Sequence, residues 1–229
     1  PPVKQREAPG YAPLPIDWPS YARLWRDRAA AREASLKTPL FLTPTLLKRR
    51  EAEMADAVPE REKPAPVSET PLLIGELAHR FLEGWDFGED PADFRSGLEP
   101  LLVKYLAPGR DKERARLQRE LERIFTAFFS SSVYHELRSA KILGREIPLL
   151  IPWDGAIMEG VIDLLYEKDG RLFLADYKTD RVETDGLAEA AARYRRQVEI
   201  YSEAARRVLQ RDVGFKLIFL RLGAAVEAL

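Results

Sequence analysis

The hydrophobic pattern of this chain changes period near residue 140. Before it, apolar positions recur at the three- and four-residue spacings of helices; after it, strand-like runs begin, interrupted by one long helical stretch. Pro1, Pro2, Pro9, Pro13, Pro15 and Pro19 make the first 19 residues irregular and extended. Tyr21 to Ser35, rich in Arg and Ala, reads as a helix. Thr43-Pro44 resembles an N-cap followed by proline at the first helical position, opening a helix to about Ala57. Pro59 to Pro71 is a proline-rich, charged linker. Helices follow over Leu73–Trp85, Asp90–Tyr105, Asp111–Ser130 and Val133–Ser139, the third with Leu117, Leu121, Ile124, Phe125 and Phe128 on one stripe.

From Lys141 the chain reads as strands. Lys141–Ile151 is one, and its Pro148 places it at an edge or a bulge. Val161–Tyr166 and Arg171–Tyr177 are β-rich runs separated by Asp169-Gly170, a strong two-residue hairpin turn. Leu187–Leu209 is predicted as one long amphipathic helix. Gly214–Leu222 is a last strand, which the final residues extend or flank. The class is α/β (α+β): a central mixed sheet flanked by helices, with a helical N-terminal half.

The hairpin carries the candidate chemistry. Counting outward from its turn sets Asp163 opposite Asp176, with Lys178 on the same face as Asp176. Like charges set opposite each other destabilise a sheet, so the pair implies a cation to bind. Two converging carboxylates suit a hard divalent ion such as Mg²⁺ or Mn²⁺. The bland alternative is a solvated hairpin with two surface acids.

Composition narrows the choices. The 229 residues allow one large domain, or one domain with a helical appendage. No stretch of 18 apolar residues occurs and no secretory signal opens the chain, so neither a membrane span nor export is expected. The chain starts at Pro1, not Met, which favours a processed chain or a piece of a longer one. With no cysteine there is no disulfide, cysteine-bound zinc or iron–sulfur cluster. The formal net charge is −1, from 36 basic and 37 acidic residues. Basic clusters nevertheless occur at Lys48–Arg50, Arg110–Arg123, Arg193–Arg196 and Arg206-Arg207. Acids alternate with bases over 110–123, which reads as a solvated helix face. Residues 193–196 read as a nucleic-acid contact.

Five short signals occur in order: G75-E-L-A-H79, E146-I-P, G160-V-I-D163, D176-Y-K178 and Q197-V-E-I-Y201. Together they resemble the RecB-like branch of the PD-(D/E)XK nuclease superfamily, and specifically the nuclease domain of RecB/AddA-type helicase–nucleases. The resemblance spans Gly75 to Tyr201. It implies a restriction-endonuclease-like core over 71–229, with residues 1–70 as a helical connector. It makes His79, Asp163, Asp176 and the backbone carbonyl of Tyr177 ligands of Mg²⁺ or Mn²⁺. Gly75, one turn before His79, would let that helix approach the sheet closely. Lys178 would assist attack on a phosphodiester, with Gln197 and Tyr201 lining the site and Tyr194 one turn earlier. Glu146 is a further candidate ligand. His135 matches no motif and is expected to be structural or exposed.

The resemblance further implies an exonuclease acting on single-stranded DNA, in cytoplasmic double-strand-break repair. No G-x-x-x-x-G-K-[ST] phosphate loop occurs, so this chain has no ATP site of that kind; a helicase motor would stand in cis or in trans. Two other classes compete. A non-catalytic DNA-binding or scaffolding module would not need its acids, His and Lys. A two-carboxylate glycoside hydrolase would not need the neighbouring Lys and His.

Overall fold

A computed structural model describes residues 19–20, 23–28, 41–44, 46–47, 69–153 and 155–228. Residues 1–40 form a unit of their own, of which 19–20 and 23–28 are described and are helical. The basic cluster Lys48–Arg50 and most of the helix expected to end near Ala57 lie outside the described residues. The start of that helix is present: Leu46 N donates to Thr43 Oγ1 at 3.1 Å, the N-cap bond expected of Thr43-Pro44.

The second unit is built on one mixed sheet. Its strands are β1 (Phe41–Leu42), β2 (Lys141–Trp153), β3 (Ala156–Lys168), β4 (Arg171–Lys178), β5 (Val213–Phe219) and β6 (Ala224–Ala228). β3 is central. β2 covers one of its edges antiparallel; on the other edge β1 pairs parallel at one end and β4 antiparallel at the other. β5 joins β4 in parallel and β6 closes the sheet antiparallel. Pro148 sits in β2, a strand paired, among the described residues, only on its β3 side, where its missing donor costs nothing. The sheet takes in Phe41–Leu42, from the segment read as connector.

Two helical layers cover the sheet. On one face lie α1 (Glu69–Gly84), α2 (Phe94–Tyr105), α3 (Asp111–Phe129) and α4 (Ser132–Arg138). The apolar stripe of α1 is Ile74, Leu77, Ala78, Phe81 and Leu82, a helical spacing that presents one face to the core. Phe81, Trp85, Phe94, Phe125 and Phe129 interlock there as tilted and stacked rings. On the other face lie α5 (Leu187–Ala192) and α6 (Arg195–Leu209). β4 divides itself between the layers: Phe173, Ala175 and Tyr177 join the first core and Leu174 the second.

Three local readings are corrected. The predicted helix over 187–209 is two helices, interrupted at Arg193 and Tyr194. Tyr194 is tied down at the break: its hydroxyl donates to the Asp180 carboxylate at 2.8 Å and its ring lies 4.0 Å from Lys178 Nζ. A 3₁₀ turn, Pro91–Asp93, precedes α2 where one continuous helix was expected; Asp90 caps it from the side chain. Finally, α1 begins at Glu69, taking in Thr70 and Pro71.

Two contacts fix the layers to the sheet. A Cβ on Gly160 of β3 would lie 2.4 Å from Tyr201 Oη, so the α6 tyrosine packs directly on bare backbone. Glu120 of α3 is buried and receives guanidiniums from Arg123, Arg181 and Arg221, the last two on the loops after β4 and β5. Burial would raise this carboxyl, but Arg221, Arg123 and Arg181 outweigh it and hold it below its ordinary 4.5.

Gly160→Ala is expected to cost about 1–3 kcal/mol by overpacking, with part recovered in the double variant Gly160→Ala/Tyr201→Phe. A melting temperature equal to wild type would show that Tyr201 moves freely. For Glu120, a depressed folded pKa means stabilisation that is complete above the unfolded value, about 4.5, and lost as pH falls through the folded value. The melting-temperature gap between wild type and Glu120→Gln should therefore narrow in acid; a gap independent of pH would contradict this.

Candidate metal and nuclease site

The turn behaves as read: Asp169 and Gly170 have φ of 50° and 76°, as a two-residue type I′ hairpin requires. The ladder from Lys168↔Arg171 to Leu164↔Ala175 keeps the expected register. It stops one pair short of the aspartates, however. At the next step the strands part, and the Asp163 side chain enters the gap: its Oδ2 accepts from Tyr177 N at 2.7 Å. A carboxylate thus replaces the backbone acceptor that a continued ladder would have supplied. Asp163 and Asp176 are both buried, at 6% and 3% exposed.

Around Asp163 the structure gathers the other candidates. His79 of α1 places Nδ1 3.3 Å from Asp163 Oδ1 and Nε2 2.9 Å from the Tyr177 carbonyl oxygen. Burial alone would lower the imidazole pKa; the hydrogen bond and charge of Asp163 outweigh it, and the pKa lies above the ordinary 6.5. Across β3, Arg145 pairs with Leu164 and Ile147 with Ile162, so Glu146 stands opposite Asp163. Glu146 has φ 45°, an uncommon left-handed conformation for a residue with a side chain. Its carboxyl is raised by burial and then by the Asp163 charge.

His79, Glu146 and Asp163 offer ligand atoms all within 4.8 Å of one another. Asp176 stands outside that group, in a second one. Its Oδ1 accepts from Gln197 Nε2 at 2.7 Å, and Lys178 Nζ donates to Gln197 Oε1 at 3.1 Å. Lys178 also forms an ion pair with the buried Asp176 Oδ2. Burial raises the Asp176 carboxyl above its ordinary 3.8 and the Asp163 charge adds to it, against the opposing charge of Lys178.

Lys178, Tyr194, Gln197 and Tyr201 line an open cleft of about 400 Å³, with Thr43 and Gly160 among its other walls. Tyr201 meets the second core and its hydroxyl accepts from Val161 N at 3.3 Å; burial pushes its pKa up to about 12. Among the described contacts it does not reach Asp176 or Lys178. Gly75 is less confining than expected, since a Cβ there would stand 3.4 Å from Thr179 Oγ1, an ordinary contact. His135 is exposed on α4. The sequence reading missed Asp180, the partner of Tyr194; its parity with Asp176 and Lys178 along the strand was the available signal.

The donor set fits a hard divalent cation. One imidazole and two carboxylates converge, and a main-chain carbonyl lies beside the imidazole. Carboxylates this close stay charged together only with positive charge between or beside them. Lys178 supplies part of it beside Asp176, and a bound divalent cation would supply the rest.

Residues 47–227 match the PD-(D/E)XK nuclease superfamily. An ATP-dependent helicase/nuclease subunit from Staphylococcus carnosus is 28% identical over 171 residues, covering 66% of this chain and 14% of that protein. Its counterpart from Heliobacterium modesticaldum is 31% identical over 165 residues, 64% of this chain and 12% of that protein. The counterpart from Desulforudis audaxviator is 38% identical over 76 residues, 33% of this chain and 6% of that protein. The chain thus spans a small fraction of the length of these relatives. A crystal structure from Eubacterium rectale aligns at TM-score 0.43 and 13% identity, over 77% of this chain and 63% of that one. With the family match covering most of its length, this chain belongs to the PD-(D/E)XK nuclease superfamily.

Proposed function

We propose that this chain hydrolyses phosphodiester bonds of DNA with the aid of Mg²⁺ or Mn²⁺, acting as an exonuclease on single strands. The observation that carries the reading is the meeting of His79, Glu146 and Asp163 beside the Asp176–Lys178–Gln197 triangle. His79, Asp163, Asp176 and the Tyr177 carbonyl would hold the ion, with Glu146 as a further ligand. A divalent ion there would polarise a phosphoryl oxygen and lower the pKa of water.

The residues divide the remaining work. Asp163 is oriented by Tyr177 N, so its other oxygen is aimed at His79 and the ligand group. Lys178 is held by Asp176, Gln197 and the Tyr194 ring. Its ammonium is positioned to stabilise negative charge developing on phosphate. Gln197 bridges both partners and fixes their separation. Tyr194, latched to Asp180, forms the floor beneath the lysine.

The relatives are subunits of helicase/nucleases, which supports a role in double-strand-break processing and recombinational repair, in the cytoplasm and with a helicase motor in cis or in trans. No described helix is long and apolar enough to cross a membrane.

The test is cleavage of labelled single- and double-stranded DNA with Mg²⁺, Mn²⁺ or EDTA. Asp176→Ala and Asp163→Ala should abolish cutting, and Lys178→Ala should slow it by about 10²–10³-fold, all three with wild-type circular dichroism. Activity of Asp176→Ala at the wild-type rate would refute the site. Cutting in EDTA would refute the metal. Binding of DNA without any cutting by the folded wild type would turn the reading toward a non-catalytic module. Independently of turnover, Glu146→Ala should weaken Mn²⁺ binding about tenfold or more in calorimetry; unchanged affinity would remove Glu146 from the ligand set.

A further inference from the structure

The alternating charges of Asp111–Arg123 do not form a neutral face once folded. At the start of α3 the charges cancel locally, Arg110 with Glu113 and Arg114 with Asp111. Glu120 then turns inward and is buried. Arg116, Arg119 and Arg123 are left on one helical face, at spacings of three and four residues. Arg116 and Arg119 have no ion-pair or hydrogen-bond partner among the described residues.

Three guanidiniums, from Arg123, Arg181 and Arg221, share the single Glu120 carboxylate. One negative charge cannot neutralise three positive ones. The carboxylate instead fixes them as an array, and Arg221 is held further by donating Nε to the Thr179 carbonyl at 2.7 Å. These side chains, with Arg116 and Arg119, line an open cleft of about 720 Å³. Only Glu120 and Asp180 among its lining residues are acidic, and Asp180 is engaged by Tyr194. A second hollow, lined by Arg119, Arg123 and Arg95 of α2 together with Glu122, adjoins the cleft.

We propose that this cleft carries the sugar–phosphate backbone of the DNA strand flanking the bond to be cut, through Arg116, Arg119 and Arg181. Glu120 and Arg221 act as positioning residues for that array. The proposal rests on the nuclease reading and extends it to a defined track. Arginine is suited to this, because its planar fork matches phosphate oxygens and reads no base. A polymer fits better than a small anion, because the arginines form a line: Arg116 to Arg123 spans about 10 Å of helix. Arg181 follows Lys178 by three residues, at most about 11 Å of chain, so one strand can meet both.

The test measures binding alone, in EDTA, by fluorescence anisotropy of a labelled single-stranded oligothymidylate at several salt concentrations. Each lost phosphate contact should make the slope of log affinity against log salt shallower by about 0.7 for a single strand. The double variant Arg116→Ala/Arg119→Ala should therefore lose about 1.4 of slope. The same pair changed to lysine should retain most of it, and Arg207→Ala, outside the cleft, should match wild type. An unchanged slope in the alanine pair overturns the proposal, as does failure of the wild type to bind. Because no metal is present, the outcome is separable from that of the cleavage assay. Normal cutting with an unchanged slope removes the cleft alone; a lost slope in a chain that never cuts removes the catalytic reading alone.

Discussion

The site depends on one substitution in hydrogen bonding. A β-hairpin is stabilised by pairing backbone donors with backbone acceptors, and the β3–β4 ladder does so until Leu164 meets Ala175. Beyond that point the Asp163 carboxylate takes over the Tyr177 amide. The amide is satisfied, so parting the strands leaves no orphan donor there. The gap admits the His79 ring to the Tyr177 carbonyl and faces the Glu146 position on the far side of β3. β4 remains paired with β5 through Lys178↔Phe219, so the parted end keeps a strand partner.

Much of this was legible because it is local. Asp169-Gly170 specifies a turn type, the turn fixes register, and register brings two acids together without tertiary information. The stripe on α3 and the edge position implied by Pro148 were readable for the same reason. What escaped the sequence depends on contacts between distant segments. Arg193 and Tyr194 sit in a run with strong helical propensity, and the bond from Tyr194 to Asp180 holds the interruption in place. Glutamate gives no sign of a left-handed backbone, so the conformation of Glu146 was invisible. The charges of Asp111–Arg123 alternate in sequence, yet burial of Glu120 removes one acid from the surface and leaves arginines behind. His79 was reached through family resemblance, since nothing local to α1 announces a partner on β4.

The two groups of side chains also differ in character. His79, Glu146 and Asp163 form an open donor set, with ligand atoms close and mutually perturbing. Asp176, Lys178 and Gln197 form a closed one, each bonded to another. Lys178 is therefore held in place by Asp176 and Gln197. Electrostatics links the two groups: beside the larger effect of burial, the Asp163 charge raises the Asp176 carboxyl.

The left-handed backbone at Glu146 has a consequence beyond the chemistry. Among the described residues β2 is an outer strand, with Leu143 and Leu150 exposed along it, and such edges invite pairing with another chain. An irregularity between Ile142 and Gly144, the turned residue Glu146 and the donor-less Pro148 interrupt this edge within a few positions. A second strand would find no flat, continuous row of donors and acceptors to copy. The distortion that brings the Glu146 carboxylate to His79 and Asp163 thereby also protects the sheet against edge-to-edge aggregation.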